Sequence, residues 1–280
     1  MIRTIKSDDI INEISRACIE CACNLDKKAY SIYKKCIDVE TNENAKYVLS
    51  ELIYNADIAS NENIPLCQDT GMVICFAEIG INVHLEEPLQ SSIDKGVRKG
   101  FADGYLRKSI VNDPFNRINT QDNTPSAIYT DIVDGSELKI NLMLKGFGSE
   151  NMGFVKMFNP SEDVNVIINY LSDKIISNAV NACPPIFVGI GIGGTMEMAA
   201  LLSKKVLFRP IDQNNKDSFY SAMEQKIKDN INNSNVGPSG YGGKTTVISV
   251  AIEKYPTHIA GLPVAVTIQC HALRHKEIVI

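Results

Sequence analysis

The spacing of apolar residues changes near residue 61, and that change limits the fold more than any other feature of the sequence. Before it, Ile11, Ile14, Cys18, Cys21 and Leu25 recur at three- and four-residue intervals, and Val48, Leu52 and Ala56 repeat the pattern. This is the period of helices that bury one face. From Asn61 to Gly71 the chain is polar and punctuated by Pro65 and Gly71, which predicts a loop. Val73, Cys75, Ala77 and Ile79 then alternate as a half-buried strand does. Leu89, Ile93, Val97 and Phe101 return to helical spacing, Leu138 to Leu144 alternates, and Val164 to Val180 is apolar at helical spacing. Short apolar runs at Ile186–Gly189, Thr245–Ile252 and Leu262–Ile268 are separated by glycine turns. The pattern predicts an α/β fold. A helical N-terminal region (residues 1–60) leads into an α/β unit (residues 61–280) with a mixed β-sheet.

Composition narrows the class of function. With 44% hydrophobic and 22% charged residues the chain is in the range of soluble globular proteins. No apolar run approaches the roughly 18 residues needed to span a bilayer, so no membrane association is expected. Met1-Ile-Arg-Thr-Ile-Lys-Ser has neither the apolar segment nor the cleavage site of a signal peptide, which predicts a cytoplasmic protein. A net charge of −5 without a basic stripe argues against nucleic acid as a partner. Eight irregularly spaced cysteines in such a chain are expected to be reduced, and to serve as small hydrophobes or as metal ligands.

Two glycine-rich stretches imitate phosphate motifs. Gly189-Ile-Gly191-Ile-Gly193-Gly194 fits G-x-G-x-x-G, follows an apolar run, and has Asp212 near the place of a ribose-binding acid. It supports an alternative of another class, an NAD-binding oxidoreductase. Against it, the motif lies late in the chain, Cys183-Pro184-Pro185 stands directly before its strand, and a second βαβ half is hard to find. A tight strand-to-helix turn is the expectation. Gly240-Tyr-Gly242-Gly243-Lys244-Thr245 lacks the first glycine of a P-loop, since Pro238 occupies that place.

The cysteines sort by position. Cys18 and Cys21 fall on a helical apolar stripe with Cys23 beside them, and Cys75 takes an inward slot of an alternating strand, all core places. Cys36 is isolated among lysines and a tyrosine. Cys67, Cys183 and Cys270 each sit where a strand meets a loop, Cys183 because Pro184 ends the preceding helix. Three such thiols can converge on one site.

Several stretches together resemble the class I fumarases. They are Pro65-Leu-Cys-Gln-Asp-Thr-Gly71, Gly104-Tyr-Leu-Arg-Lys-Ser109, Asp122-Asn-Thr-Pro125, Gly148-Ser-Glu-Asn151, Ala182-Cys-Pro-Pro185 and Val188–Gly194. Gly242-Gly-Lys-Thr-Thr246, Pro256-Thr-His-Ile-Ala260 and Gln269-Cys-His-Ala272 complete the set. The length corresponds to the α subunit of a two-subunit enzyme or the N-terminal part of the fused form. The chain departs from the family at Phe147, where a glycine is usual, and at Thr195-Met-Glu197.

The resemblance implies a [4Fe–4S] cluster held by Cys67, Cys183 and Cys270, with one iron left open. Such an iron is a Lewis acid, suited to the reversible hydration of fumarate to malate. A related hydro-lyase on the same scaffold, the L-tartrate dehydratase α subunit, is the alternative. The substrate is a dicarboxylate, so Arg107 is expected to grip a carboxylate and Gln68 to hydrogen-bond beside the cluster. Asp69 either orients a catalytic hydroxyl or caps its own turn, and His258 either handles a proton or is structural. No other base is evident, so the resemblance implies a heteromeric complex in which a β subunit supplies it.

Overall fold

The computed structural model describes residues 2–280. In chain order the elements are β1 (Arg3–Ile5), α1 (Ser7–Cys23), α2 (Lys27–Val39), α3 (Glu43–Glu62), β2 (Met72–Gly80), β3 (Val83–Leu85) and α4 (Leu89–Asp103). They continue through β4 (Ala127–Val133), β5 (Leu138–Lys145), α5 (Phe147–Glu150), β6 (Phe154–Phe158), α6 (Val164–Ala179), β7 (Ile186–Gly193) and α7 (Met196–Lys205). α8 (Ser218–Asn232), β8 (Val247–Tyr255), β9 (Leu262–Gln269) and β10 (His275–Val279) complete the fold. The α/β class and the helical N-terminal region agree with the apolar periods. The three-residue β1, which pairs in parallel with β3, is too short to have a period of its own.

The chain forms two compact units. One comprises Met1–Asp26, Asn55–Phe147 and Arg274–Ile280; the other comprises Lys27–Tyr54 and Gly148–Leu273. Each takes chain from either side of residue 60: α1 packs in the core of the first unit, whereas α2 belongs to the second. The mixed sheet expected from the sequence is two mixed four-stranded sheets, since alternation marks strands without saying which ones pair.

In the first unit the order is β10-β5-β2-β4, with β2 antiparallel to β5 and parallel to β4. Residues that alternate inward along β2 and β5, Val73, Cys75, Ile140 and Leu142, pack with Ile14 and Cys18 of α1 and Val97 and Phe101 of α4. In the second unit the order is β6-β9-β7-β8, with β7 parallel to β8 and antiparallel to β9. Val188, Ile190, Ile252 and Ile268 pack with Leu171 and Ile175 of α6 and Ile227 and Ile231 of α8. Asp163 and Asp217 start those two helices by accepting from the amides of Asn165 and Phe219.

Gly189 and Gly191 lie inside β7 rather than in the turn that the motif predicts. A Cβ on Gly189 would stand 2.0 Å from the Ser203 carbonyl oxygen, and one on Gly191 would stand 2.1 Å from that of Ala199. The pair therefore lets α7 lie directly on the strand. Gly193 and Gly194, with φ of 92° and 69°, make the turn itself. Gly191→Ala should destabilise the protein by about 3 kcal/mol, at the upper end of overpacking costs. Gly148→Ala, whose Cβ meets nothing within 4 Å, should leave the urea midpoint nearly unchanged.

Candidate active site

In the first unit, the loop that carries Cys67, Gln68 and Asp69 is held by side-chain bonds to backbone. Leu66 anchors it, buried, with its amide on the Ala22 carbonyl and its own carbonyl on Asn55 Nδ2. The buried Thr70 donates its hydroxyl to the Arg107 carbonyl at 2.6 Å. Asn123, fully buried with φ of 61°, accepts from the Ser109 amide at 2.8 Å and donates to the Gly71 carbonyl at 3.2 Å. The segments around Cys67, Arg107 and Asn123 are thereby fastened together, with the side chains of Gln68 and Arg107 exposed. Next to Asn123, partial burial works to raise the Asp122 carboxyl, but bonds from Arg98 and Thr124 outweigh it and hold the pKa at about 2.

Asp69 is tied at three points. Oδ1 accepts from the Gly71 amide at 3.0 Å, Oδ2 from the Phe147 amide at 2.8 Å, and its carbonyl from Arg274 Nη1 at 2.6 Å. A Cβ at Gly146 would lie 3.0 Å from Arg274 Nη2 and 3.1 Å from Asp69 Oδ2. The close approach is thus made at Gly146, and the Phe147 side chain is 46% exposed, so the departure there leaves this contact intact. Lys145, fully buried at the end of β5, donates to the Gly146 carbonyl at 3.1 Å.

In the second unit, Cys183 leads into β7 and Cys270 follows β9, whose antiparallel register sets Phe187 opposite Gln269. The two cysteines therefore come to one end of the sheet. The His271 amide donates to the Cys183 carbonyl at 3.3 Å, and the Pro184 carbonyl accepts from the Ser239 amide at 2.9 Å. Cys183 has φ of 56°, left-handed for a residue with a Cβ, and Pro184-Pro185 is cis. Left-handed backbone at such a residue costs about 1–2 kcal/mol. Cys183 is exposed, and Cys67 and Cys270 are half-buried.

His258 lies in the exposed loop between β8 and β9, at the opposite end of that sheet, roughly 25 Å away at about 3.3 Å per residue of strand. Its Nδ1 accepts from the Ala260 amide at 3.2 Å, which leaves the proton of the neutral ring on Nε2. The loop is fastened to the glycine turn by Thr257 Oγ1, which donates to the Gly194 carbonyl at 3.0 Å.

Both glycine motifs are occupied by the protein itself. Between Gly237 and Lys244 every amide has an internal acceptor. Gly237 uses Thr246 Oγ1, Ser239 the Pro184 carbonyl, Gly240 that of Gly237, and Tyr241 that of Pro238. Gly242 uses the Val236 carbonyl, Gly243 uses Asn235 Oδ1, and Lys244 uses Glu40 Oε2. The stretch buttresses Pro184 and offers no phosphate cradle. At the other turn, Glu197 is held below the usual carboxylate range by its own amide and then by the Thr195 hydroxyl, so an anion already stands at the start of α7. Asp212 pairs with Lys28 at 2.6 Å.

Cys18, Cys21, Cys23 and Cys75 are buried in the core of the first unit, and Cys36 is half-buried on α2. Burial, then the neighbouring Cys21 and Cys75, push the Cys18 thiol well up; burial raises Cys21 to about 12 and raises Cys75 further. Burial also raises Cys23 and Cys36. Cys183 and Cys270 stand where β7 and β9 meet loops, and Cys67 stands within the loop between α3 and β2; their donor chemistry fits a thiolate-held group. Among the described residues no group of three or more His, Cys, Asp or Glu is placed to hold a metal ion. No helix among the described residues is long and apolar enough to cross a membrane.

The comparisons with known proteins span nearly the whole chain. The profile described as "Fumarate hydratase (Fumerase)" matches residues 11–279. A protein of Methanocaldococcus jannaschii named "Putative L(+)-tartrate dehydratase subunit alpha" is 36% identical over 277 residues, covering 96% of each chain. The "L(+)-tartrate dehydratase subunit alpha" of Escherichia coli O157:H7 is 32% identical over 251 residues, covering 88% of this chain and 82% of that one. The fold and these matches define a hydro-lyase. The chain belongs to the fumarate hydratase (Fumerase) family.

Sequence reading missed the supporting residues Tyr33, Glu40 and Arg274, and did not weigh Thr70 or Asn123 singly within their motifs. Glu40 is 3% exposed, and its carboxylate accepts from the amides of Thr41, Asn42 and Lys244. Burial works to raise its pKa, but the bonds from Asn42, Lys244 and Thr41 prevail and lower it. A lowered carboxyl stabilises the fold above its unfolded pKa, and that stability is lost as pH falls through the folded value. Glu40→Gln should cost about 1–3 kcal/mol at neutral pH and less in acid. Urea melts across pH 7 to about 3 should show wild type and variant converging.

Proposed function

We propose that this chain is the cluster-bearing subunit of a hydro-lyase that adds water reversibly to fumarate, forming malate. The observation that carries the reading is the pairing of Cys183 and Cys270 at one end of the β7–β9 ladder, with Cys183 in a left-handed conformation. Strained backbone at an exposed cysteine fits a ligand-presenting role better than a packing one. We assign Cys67 as the third ligand of a [4Fe–4S] cluster. When bound, that cluster supplies a Lewis-acidic iron with an open position to polarise a hydroxyl or water.

The chain's own side chains bind and orient the substrate. Arg107 offers a planar fork to one carboxylate, on a backbone fastened by Thr70, and the exposed Gln68 supplies a carboxamide beside it. Asp69 keeps both carboxylate oxygens on backbone amides, one of them in its own turn, which fixes its orientation, and we assign it to align a catalytic hydroxyl. His258 stands at the far end of its sheet from Cys183 and Cys270, so it serves the same reaction only if a second chain brings it. With no other base on this chain, we assign removal of the C–H proton to a partner, a β subunit, consistent with relatives named as alpha subunits.

A second reading, dehydration of L(+)-tartrate, is favoured by the names of those relatives. The two are separated by assaying fumarate hydration and L(+)-tartrate loss on the anaerobically reconstituted complex. Turnover of tartrate alone would overturn the substrate assignment and keep the reaction class. Replacing Cys67, Cys183 or Cys270 with Ser should abolish bound iron and activity together, whereas Cys18→Ser and Cys75→Ser should retain both. Iron retained in all three of the first set would refute the ligand assignment. Arg107→Ala should lower kcat/KM by a factor equivalent to about 2–5 kcal/mol with iron content unchanged.

A further inference from the structure

The loop that carries Cys270 is fixed by side chains that have no place in the chemistry above. α2 buries Ala29 and Tyr33, one turn apart. Tyr33 is fully buried, and its hydroxyl reaches across the second unit to donate to the His271 carbonyl at 2.8 Å. The same carbonyl accepts from the Leu273 amide at 3.0 Å. The His271 amide holds the Cys183 carbonyl at 3.3 Å, with the ring nitrogen Nδ1 3.4 Å from the same oxygen. One residue earlier in the chain than Cys270, the fully buried Gln269 donates Nε2 to the Ala272 carbonyl at 3.0 Å and closes the loop from inside.

His271 is thus the common fixed point of both cysteines: it follows Cys270 in the chain and binds Cys183 through its backbone. Whatever sets His271 sets the relation between the two thiols. A buried hydroxyl needs an acceptor, and the one Tyr33 takes is the carbonyl of the residue that links the two cysteines. Gln269 confines the loop on its other side, and its Oε1 has no partner, so it is held by this one bond.

We propose that the Tyr33 hydroxyl and the Gln269 carboxamide are positioning groups that preset Cys183 and Cys270 as a chelating pair for a thiophilic ligand. The inference rests on the reading of these cysteines as a ligand pair, and not on which cofactor they hold. It makes α2 part of the site's support.

The test uses phenylarsine oxide on the full-length, metal-free, reduced chain in a Cys67→Ser background, so that the pair alone is read. The arsenic condenses with two thiols; two As–S bonds form, the As=O oxygen leaves as water with both thiol protons, and no oxidation state changes. Mass spectrometry gives the stoichiometry, and titration with dithiothreitol gives the affinity. One arsenical per chain is expected, lost in Cys183→Ser and in Cys270→Ser. Tyr33→Phe and Gln269→Met should each release the arsenical at a dithiothreitol concentration at least tenfold lower. The core variant Ile231→Val should lower the melting temperature without changing that concentration. Wild-type affinity in both Tyr33→Phe and Gln269→Met, or an equal loss in Ile231→Val, would overturn the positioning role; if Tyr33→Phe does not fold, Gln269→Met decides. Failure of the parent chain to bind would overturn the cysteine pair itself. Arsenical capture here, with no iron uptake on reconstitution of the chain that retains Cys67, would keep the pair and its positioning groups while overturning the cluster.

Discussion

The antiparallel register of β7 and β9 is the constraint on which the thiol end of the second unit depends. Because the two strands run in opposite directions with Phe187 opposite Gln269, the residues before one and after the other meet at a single end. A slip by one residue would turn every side chain of β9 to the other face. It would take Val264, Val266 and Ile268 out of the core they share with α6 and α8 and put Thr267 and Gln269 in their place, so packing enforces the register. β8 runs parallel to β7 and delivers its following loop, with His258, to the opposite end. The topology that unites Cys183 with Cys270 is therefore the one that separates both from His258.

The first unit orders its loop by a different means. No strand edge holds residues 65–71; buried side chains do, through single bonds to backbone atoms distant in sequence. Thr70, Asn123 and Arg274 each place a polar atom where water is excluded, and a bond so placed is costly to break because its partner stays buried. The support is internal, while Gln68 and Arg107 face outward from it. Rigid support under exposed polar groups is the arrangement that a binding surface for a small anion requires.

The elements were legible where a period existed. The apolar spacing of 164–180 foretells α6 almost to the residue, and the alternation from Val73 to Ile79 foretells β2. Cys18 and Cys75 were legible as core for the same reason, and Pro184 marked the end of the helical run before Cys183. The partition into two sheets was not legible, because β10 joins β5 across more than a hundred residues and pairing leaves no local trace. Gly189 and Gly191 mislead because close helix packing and close phosphate approach both ask for a missing Cβ. Tyr33 looked like any inward residue of an amphipathic helix, and Arg274 like any late arginine; the hydrogen bonds that give them meaning span 238 and 205 residues.

The interleaving of the two units bears on how the chain is made. Synthesis proceeds from residue 1 onward, and domains tend to fold as they emerge. Here neither unit is available early. The first contains β10, made after every residue of the second, so its four-stranded sheet is finished only when residues 275–279 have left the ribosome. The second contains α2, made near the start, but the His271 carbonyl that Tyr33 binds follows more than two hundred residues later. During translation β5 presents a bare edge until β10 arrives, a window in which an unpaired strand is open to wrong pairing.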